Sequence, residues 1–325
     1  MEKDVVIIGA GPAGLFAGFY CGMRKLSAVI VDPLEVAGGR LAALYPEKYI
    51  YDVAGHDKIR AIDLIHNLET QLKRFEETTE LALGEEVLGL DKEDEIFTVT
   101  TSKQTIKAKA VIIAAGSGAF APRKLGLEGE ETASNLHYFV DDLNKFKDRK
   151  VAIFGGGDSA VDWAMMLEPI AKEVNVIHRR DEFRAHGASV DKLMESTVNV
   201  HTPYTPKELV LNGDKIEKIL IESKKVDDKE LEVDDVIVNF GFVAKLGAIA
   251  DFGLEIEKNK INVNTDQSTA IEGVYAIGDI AAYPGKAELI ITGFGEGPIA
   301  VNSIYGYINP DAKVGALHSS SVIKG

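Results

Sequence analysis

At 325 residues and a formal net charge of −15, the chain has room for two domains that each bury a core of their own. So acidic a composition argues against an electrostatic nucleic-acid binder. A single cysteine, Cys21, excludes an intramolecular disulfide and a thiolate metal cluster.

The N-terminal apolar run, residues 5–23, is broken by Gly9, Gly11, Pro12 and Gly14, and Tyr20 is too bulky for a small-residue cleavage site, so it does not read as a secretory signal. No other stretch approaches the ~20 apolar residues of a membrane span. The expectation is a cytoplasmic protein.

Residues 4–8 predict a strand, followed by Gly9-Ala10-Gly11-Pro12-Ala13-Gly14 and a helix to about Arg24. A second strand, 28–31, ends on Asp32. Strand, glycine turn, helix, strand and terminal carboxylate together form a βαβ unit that binds a dinucleotide. Gly9, Gly11, Pro12, Ala13 and Gly14 let the backbone approach a pyrophosphate at a helix N-terminus, and Asp32 suits the hydroxyls of a ribose.

Residues 32–57 predict a long irregular segment carrying Gly38-Gly39-Arg40 and Tyr45, of the kind that is usually functional. Apolar residues at 59, 62, 65, 68 and 72 predict a helix over 58–75. Runs at 79–90, 94–101 and 104–108 suggest a small antiparallel layer, and 111–114 a buried strand ending at Gly116-Ser117-Gly118.

The βαβ pattern then recurs. A strand at 151–154 runs into Gly155-Gly156-Gly157-Asp158-Ser159-Ala160, a helix, and a strand at 173–177 ending in His178-Arg179-Arg180. Here the ribose position is cationic, and guanidinium groups suit a 2′-phosphate. Candidate contacts are Gly155, Gly157, Asp158, Ser159, His178, Arg179, Arg180 and Arg184. Beyond further β-like segments and a strand at 236–238, Gly273–Asp279 predicts a strand closing on Gly278 and a carboxylate, and a helix follows over 295–308. Trp163, Met165 and Met166 read as helix core.

Two nested dinucleotide folds suit a hydride relay, with FAD held by the first and NADPH by the second. The motifs GAGPAG (9–14), GGGDSA (155–160), HRRDEFR (178–184) and GVYAIGD (273–279) resemble, in order and spacing, the two-dinucleotide-binding-domain flavoproteins of the thioredoxin-reductase-like group. That resemblance implies an α/β architecture of two Rossmann-like, three-layer ββα domains. Residues 1–116 and 243–325 would hold FAD, and the inserted 117–242 NADPH. The C-x-x-C pair of thioredoxin reductases is missing from 135–144. The runs ALYPEKYIYDVAG (43–55), NLHYFVDDL (135–143), GFGEGP (293–298) and LHSSS (317–321) are similar to ferredoxin–NADP+ reductases of the same type.

That similarity implies transfer of electrons from NADPH to ferredoxin or flavodoxin, by hydride to the flavin N5 and then single-electron steps, in a homodimer. It places Tyr45 on one flavin face and His318 on the other with Ser319 close by. Gly278 and Asp279 fall near the ribityl-pyrophosphate, and Val87, Gly116 and Phe120 are further FAD contacts. Arg40 stands where the family has glutamine, as a candidate FAD contact. Glycines at 116–118 and 241 predict hinges for a domain rotation that brings nicotinamide to flavin. An acidic acceptor would need a local basic patch, for which Arg40, Lys48 and Lys286 are candidates. Two other readings stay open: an NADPH-dependent flavin oxidase or monooxygenase, and a non-catalytic NADP(H)-sensing flavoprotein.

Overall fold

The computed structural model describes residues 1–140, 142–315 and 317–323, the side chains of 119–121, 243 and 244 excepted. The chain divides into two compact units, residues 1–120 with 244–325, and residues 121–243.

The first unit opens with β1 (Glu2–Ile8), α1 (Pro12–Met23) and β2 (Ala28–Asp32), whose five residues are all buried. Full burial of alternate faces is what a parallel strand covered on both sides demands. A five-residue helix α2 (Arg40–Leu44) and α3 (Ala61–Leu72) interrupt the segment that the sequence predicts as irregular and helical respectively. Then come β3 (Thr79–Leu83), β4 (Val87–Glu93), β5 (Ile96–Thr101) and β6 (Thr105–Ile113).

The small antiparallel layer expected over 79–90, 94–101 and 104–108 is found except for its first strand. Strand β3 pairs parallel with β2, while β4, β5 and the start of β6 form an antiparallel meander. Residues 104–108 and 111–114 are not two strands. Both belong to β6, which pairs parallel with β1 along its length from Glu2↔Lys107 to Ile8↔Ile113. The sheet order is thus β3-β2-β1-β6-β5-β4, with the order reversing between β1 and β6.

The second unit carries a five-stranded parallel sheet. Its strands are β7 (Leu136–His137), β8 (Lys150–Phe154), β9 (Glu173–Ile177), β10 (Asn199–His201) and, after a three-stranded antiparallel sheet over 205–232, β11 (Asp235–Val238). Helix α4 (Asp158–Leu167) links β8 to β9. The order is β7-β11-β8-β9-β10, so this sheet too reverses, between β8 and β11. Trp163 and Leu167 of α4 pack on one face with Val151 and Ile153. The antiparallel sheet covers the other, where Ile219 and Ile221 meet Phe154 and Val236. These are the layers of a ββα sandwich.

Back in the first unit, a short strand at Val274–Ala276 pairs parallel with the end of β6. Helix α5 (Ile290–Ile308) begins five residues before its predicted start. Glycines at 293, 295 and 297 argue against helix in isolation, but Gly293 and Gly297 face α1 and let α5 lie on it. A Cβ on Gly293 would sit 3.1 Å from the Cβ of Ala13, and one on Gly297 3.5 Å from the backbone of Ala17. Tertiary packing therefore overrides local propensity.

Cys21, on α1, is fully buried, and desolvation pushes its thiol well above the usual range. The folded protein should leave Cys21 unmodified by a disulfide reagent such as DTNB over minutes, and unfolding in urea should release one reactive thiol per chain. Rapid reaction in the native state would contradict its placement.

Candidate functional site

Each unit presents a glycine turn at the carboxyl end of the first strand of its βαβ motif, β1 in one and β8 in the other, beside the point where strand order reverses. Crevices there are where open α/β sheets take ligands.

In the first unit the turn is a backbone requirement. A Cβ on Gly14 would lie 1.9 Å from the carbonyl oxygen of Gly9, and Gly9 itself has φ +114° with the Ala114 carbonyl 2.4 Å from any Cβ it might carry. Over Gly11, by contrast, the space is open. The first-turn amides of α1 have no partner within the helix, so they and the dipole are available to an anion.

Asp32 closes the turn. Its Oδ2 accepts from the Ala10 amide at 2.7 Å and its Oδ1 from the Leu34 amide at 2.9 Å. Burial raises its pKa, opposed by these two N–H groups.

These residues open onto a cleft of about 610 Å³, the size of a small-molecule site. Gly9, Gly11, Pro12, Ala13, Asp32, Arg40, Tyr45, Val87, Gly116, Gly278 and Asp279 all line it. Gly14 lies behind the wall, holding the turn together. The Phe120 side chain lies outside the described residues. His318 and Ser319 are exposed at the start of a short helix (Ser319–Val322) and are not part of the cleft wall, because Leu317, Val322 and Ile323 pack the tail onto the core of this unit. Arg40 donates from Nη1 to Ser117 Oγ at 3.0 Å.

Sequence reasoning missed the carboxylate that joins two walls of this cleft. Glu296, 2% exposed, accepts from the Gly278 amide at 2.7 Å, from the Tyr283 hydroxyl at 2.6 Å and from Lys286 Nζ. It thereby ties the Gly278–Asp279 turn to α5, whose first turn lines the same cleft. Lys286, a candidate for an exposed docking patch, is corrected to an almost fully buried partner of Glu296.

The second unit repeats the turn with different side chains. Gly155 abuts Ala160 Cβ and the Asn239 carbonyl, each 2.7 Å from a hypothetical Cβ, and Gly157 faces open space. In the first unit Gly9 donates to the Val31 carbonyl, and here Gly155 donates to Ile177. The residue after each acceptor is therefore equivalent, so His178 occupies the place of Asp32. Arg179 and Arg180 then correspond to Pro33 and Leu34, which line the first cleft.

The His178 ring packs on Gly156, whose Cβ would lie 2.2 Å from Nδ1, and its Nε2 lies 3.1 Å from the Glu182 carbonyl and so must carry the proton. Asp158 opens α4 and accepts from the His186 amide at 2.8 Å, with Ser159 beside it in the first turn. Arg179, Arg180 and Arg184 are exposed, and none forms an ion pair among the described residues. The arrangement offers three cations beside a helix N-terminus, suited to a phosphorylated ribose and a pyrophosphate. Among the described residues no group of His, Cys, Asp and Glu is placed to hold a metal ion, and no helix is long and apolar enough to cross a membrane.

Two dinucleotide turns on two reversing sheets define a class. Residues 3–297 match the pyridine nucleotide-disulphide oxidoreductase family, and the chain belongs to it. Over 325 residues, 99% of this chain and 97% of the relative, it is 56% identical to ferredoxin–NADP reductase 2 of Bacillus subtilis (strain 168). It is 54% identical over 323 residues to ferredoxin–NADP reductase 2 of Bacillus anthracis, covering 98% and 97% of the two chains. Among solved structures it is similar to T. acidophilum thioredoxin reductase, with a TM-score of 0.77 and 26% identity over 94% of this chain and 98% of that one.

Two predictions follow from these side chains. Replacing Glu296 by Gln strands Lys286 in a dry site, so unfolding free energy in urea should fall by about 3–5 kcal/mol, with Lys286→Met in the same chain recovering part of the loss. The second concerns His178, whose pKa is lowered by burial and then by Arg179, Arg180 and Arg184, against the Glu182 bond. A histidine with a depressed folded pKa binds its proton more readily when unfolded, so stability falls as pH drops through about 6.5. Urea titrations at pH 7.5 and 5.5 should show a smaller difference for His178→Gln, with His201, lowered in the same sense by burial, supplying part of the remainder.

Proposed function

We propose that the protein is an FAD-dependent reductase that takes electrons from NADPH and passes them to ferredoxin. The observation that carries this reading is the pair of turns with matching backbone hydrogen bonds and opposite chemistry, Asp32 in one and His178-Arg179-Arg180 in the other, in a chain 56% identical to a ferredoxin–NADP reductase.

The first cleft fits FAD. Open space over Gly11, the unpaired amides of α1 and a carboxylate at the ribose position match a pyrophosphate and free hydroxyls. Tyr45, partly exposed on the cleft wall, offers a flat face to a ring system, and Gly278 and Asp279 stand where a ribityl chain would run. A flavin held there would supply hydride acceptance and one-electron release. The chain's own residues bind and orient, exclude water with the apolar side chains of Val87, Leu246 and Ile249, and transfer no proton. With one cysteine, fully buried, the protein cannot route electrons through an internal dithiol.

In the second unit, Arg179 and Arg180 would clamp the 2′-phosphate and so select NADPH over NADH. Gly155 and Gly157 admit the pyrophosphate to the α4 N-terminus. Residues 1–120 with 244–325 would thus be the FAD domain and 121–243 the NADPH domain. Flavodoxin as an alternative acceptor and homodimeric assembly are inferred from the resemblance of the sequence motifs, and a cytoplasmic location from the interrupted N-terminal apolar run.

Anaerobic addition of NADPH to the purified protein should bleach the visible flavin band, and ferredoxin should restore it faster than O₂ does. Rapid re-oxidation by O₂ with none by ferredoxin would favour an oxidase, and no bleaching at all a sensor. Neutral replacement of Arg179 and Arg180 should weaken NADPH by about 1.5–3 kcal/mol per contact and leave NADH unchanged in stopped-flow reduction.

A further inference from the structure

The backbone repeat between the two units extends to a residue that no dinucleotide motif contains. In the first unit Ile8, at the end of β1, accepts from the Ala114 amide at 2.7 Å. In the second, Phe154, at the end of β8, accepts from the Asn239 amide at the same 2.7 Å. A Cβ on the first glycine of each turn meets the same carbonyl, that of Ala114 at 2.4 Å from Gly9 and that of Asn239 at 2.7 Å from Gly155. Asn239 is therefore the counterpart of Ala114. It follows β11 where the strand order reverses, and Ala114, Ala115 and Gly116 line the first cleft at the equivalent place.

The counterpart carries an amide where Ala114 has a methyl group. Its Nδ2 is buried and has no hydrogen-bond partner, one of two such side-chain atoms among the described residues. The other, Gln267 Oε1, belongs to the first unit and is not on its cleft. An orphaned donor lowers the stability of the free protein, and orphans that persist beside a ligand crevice point to a partner supplied by the ligand.

We propose that Asn239 is a binding residue for the nicotinamide dinucleotide, donating from its side-chain amide to an oxygen of the nicotinamide-ribose half. This rests on reading the second unit as the NADP(H) site. The direction follows from the sheet. Arg179 and Arg180 follow β9, on one side of β8, and fix the adenosine end there. The glycine turn after β8 takes the pyrophosphate, and the chain of the ligand then continues toward β11, which lies on the other side of β8. Ribose hydroxyls and pyrophosphate oxygens are the acceptors it presents. The Asn χ2 torsion is broad, so the amide turns to the crevice without leaving its χ1 well.

The test uses the FAD-loaded full chain, calorimetric titration, and two probes: NADP+, and adenosine 2′,5′-bisphosphate, which carries the 2′-phosphate but no nicotinamide half. Asn239→Ala should weaken NADP+ by roughly three- to tenfold, the worth of one neutral hydrogen bond, and leave the bisphosphate unchanged. Asn239→Asp, which sets a carboxylate against phosphate, should weaken NADP+ further. Without ligand, Asn239→Ala should unfold at the wild-type temperature or above it, since an unsatisfied group has been removed. Wild-type affinity for NADP+ in Asn239→Ala overturns the proposal, as does an equal loss for both probes with a lowered unfolding temperature, which would mark a structural residue. Failure of the wild-type chain to bind either probe would instead overturn the NADP(H) reading itself.

Discussion

Everything in the first unit hangs on the approach of one backbone segment to another at 1.9 Å, the distance from the Gly9 carbonyl to where a Gly14 Cβ would be. No Cβ survives that separation, so the third residue of α1 must be glycine for the helix to start directly over the end of β1. The same economy holds α5 against α1 through Gly293 and Gly297. The cleft exists because three backbone elements meet more closely than side chains allow. The open space over Gly11 is what remains for a ligand.

The two copies of one backbone device differ in the side chains that follow the second strand, Asp32-Pro33-Leu34 in one and His178-Arg179-Arg180 in the other. Asp32 is desolvated and anchored by two amides, a carboxylate held in place before any hydroxyl arrives. His178, at the equivalent place, turns its ring onto Gly156, and the arginines that follow it are exposed. A buried acid and three exposed cations are different electrostatic solutions. The first is screened little by salt, and the second is strongly screened.

What the sequence makes legible is what is local. Both βαβ units, their glycine turns and the charged residues after their second strands lie within about thirty residues and obey a spacing that backbone geometry imposes. Longer-range choices are not encoded that way. That β6 continues from an antiparallel meander into a parallel sheet depends on pairing with Glu2–Ile8, a hundred residues away. The early start of α5 depends on Ala13 and Ala17. Glu296 meets Gly278, Tyr283 and Lys286 at separations of 18, 13 and 10 residues, across a turn and a loop rather than within one helix or strand. Lys286 reads as a solvated cation until the fold buries it.

The contrast between the two turns also bears on how long each ligand stays. A site that encloses its ligand with neutral amides, glycine backbone and a buried carboxylate releases it only when many short-range contacts break together, so residence is long. A site that relies on exposed guanidinium groups captures an anion at long range and lets it go as those few contacts break, with rates that depend on salt. The first suits a resident redox group and the second a reductant that must leave after each turnover. The distribution of charge in this chain, acidic overall yet with Arg179, Arg180 and Arg184 gathered at one turn, is the pattern such a division requires.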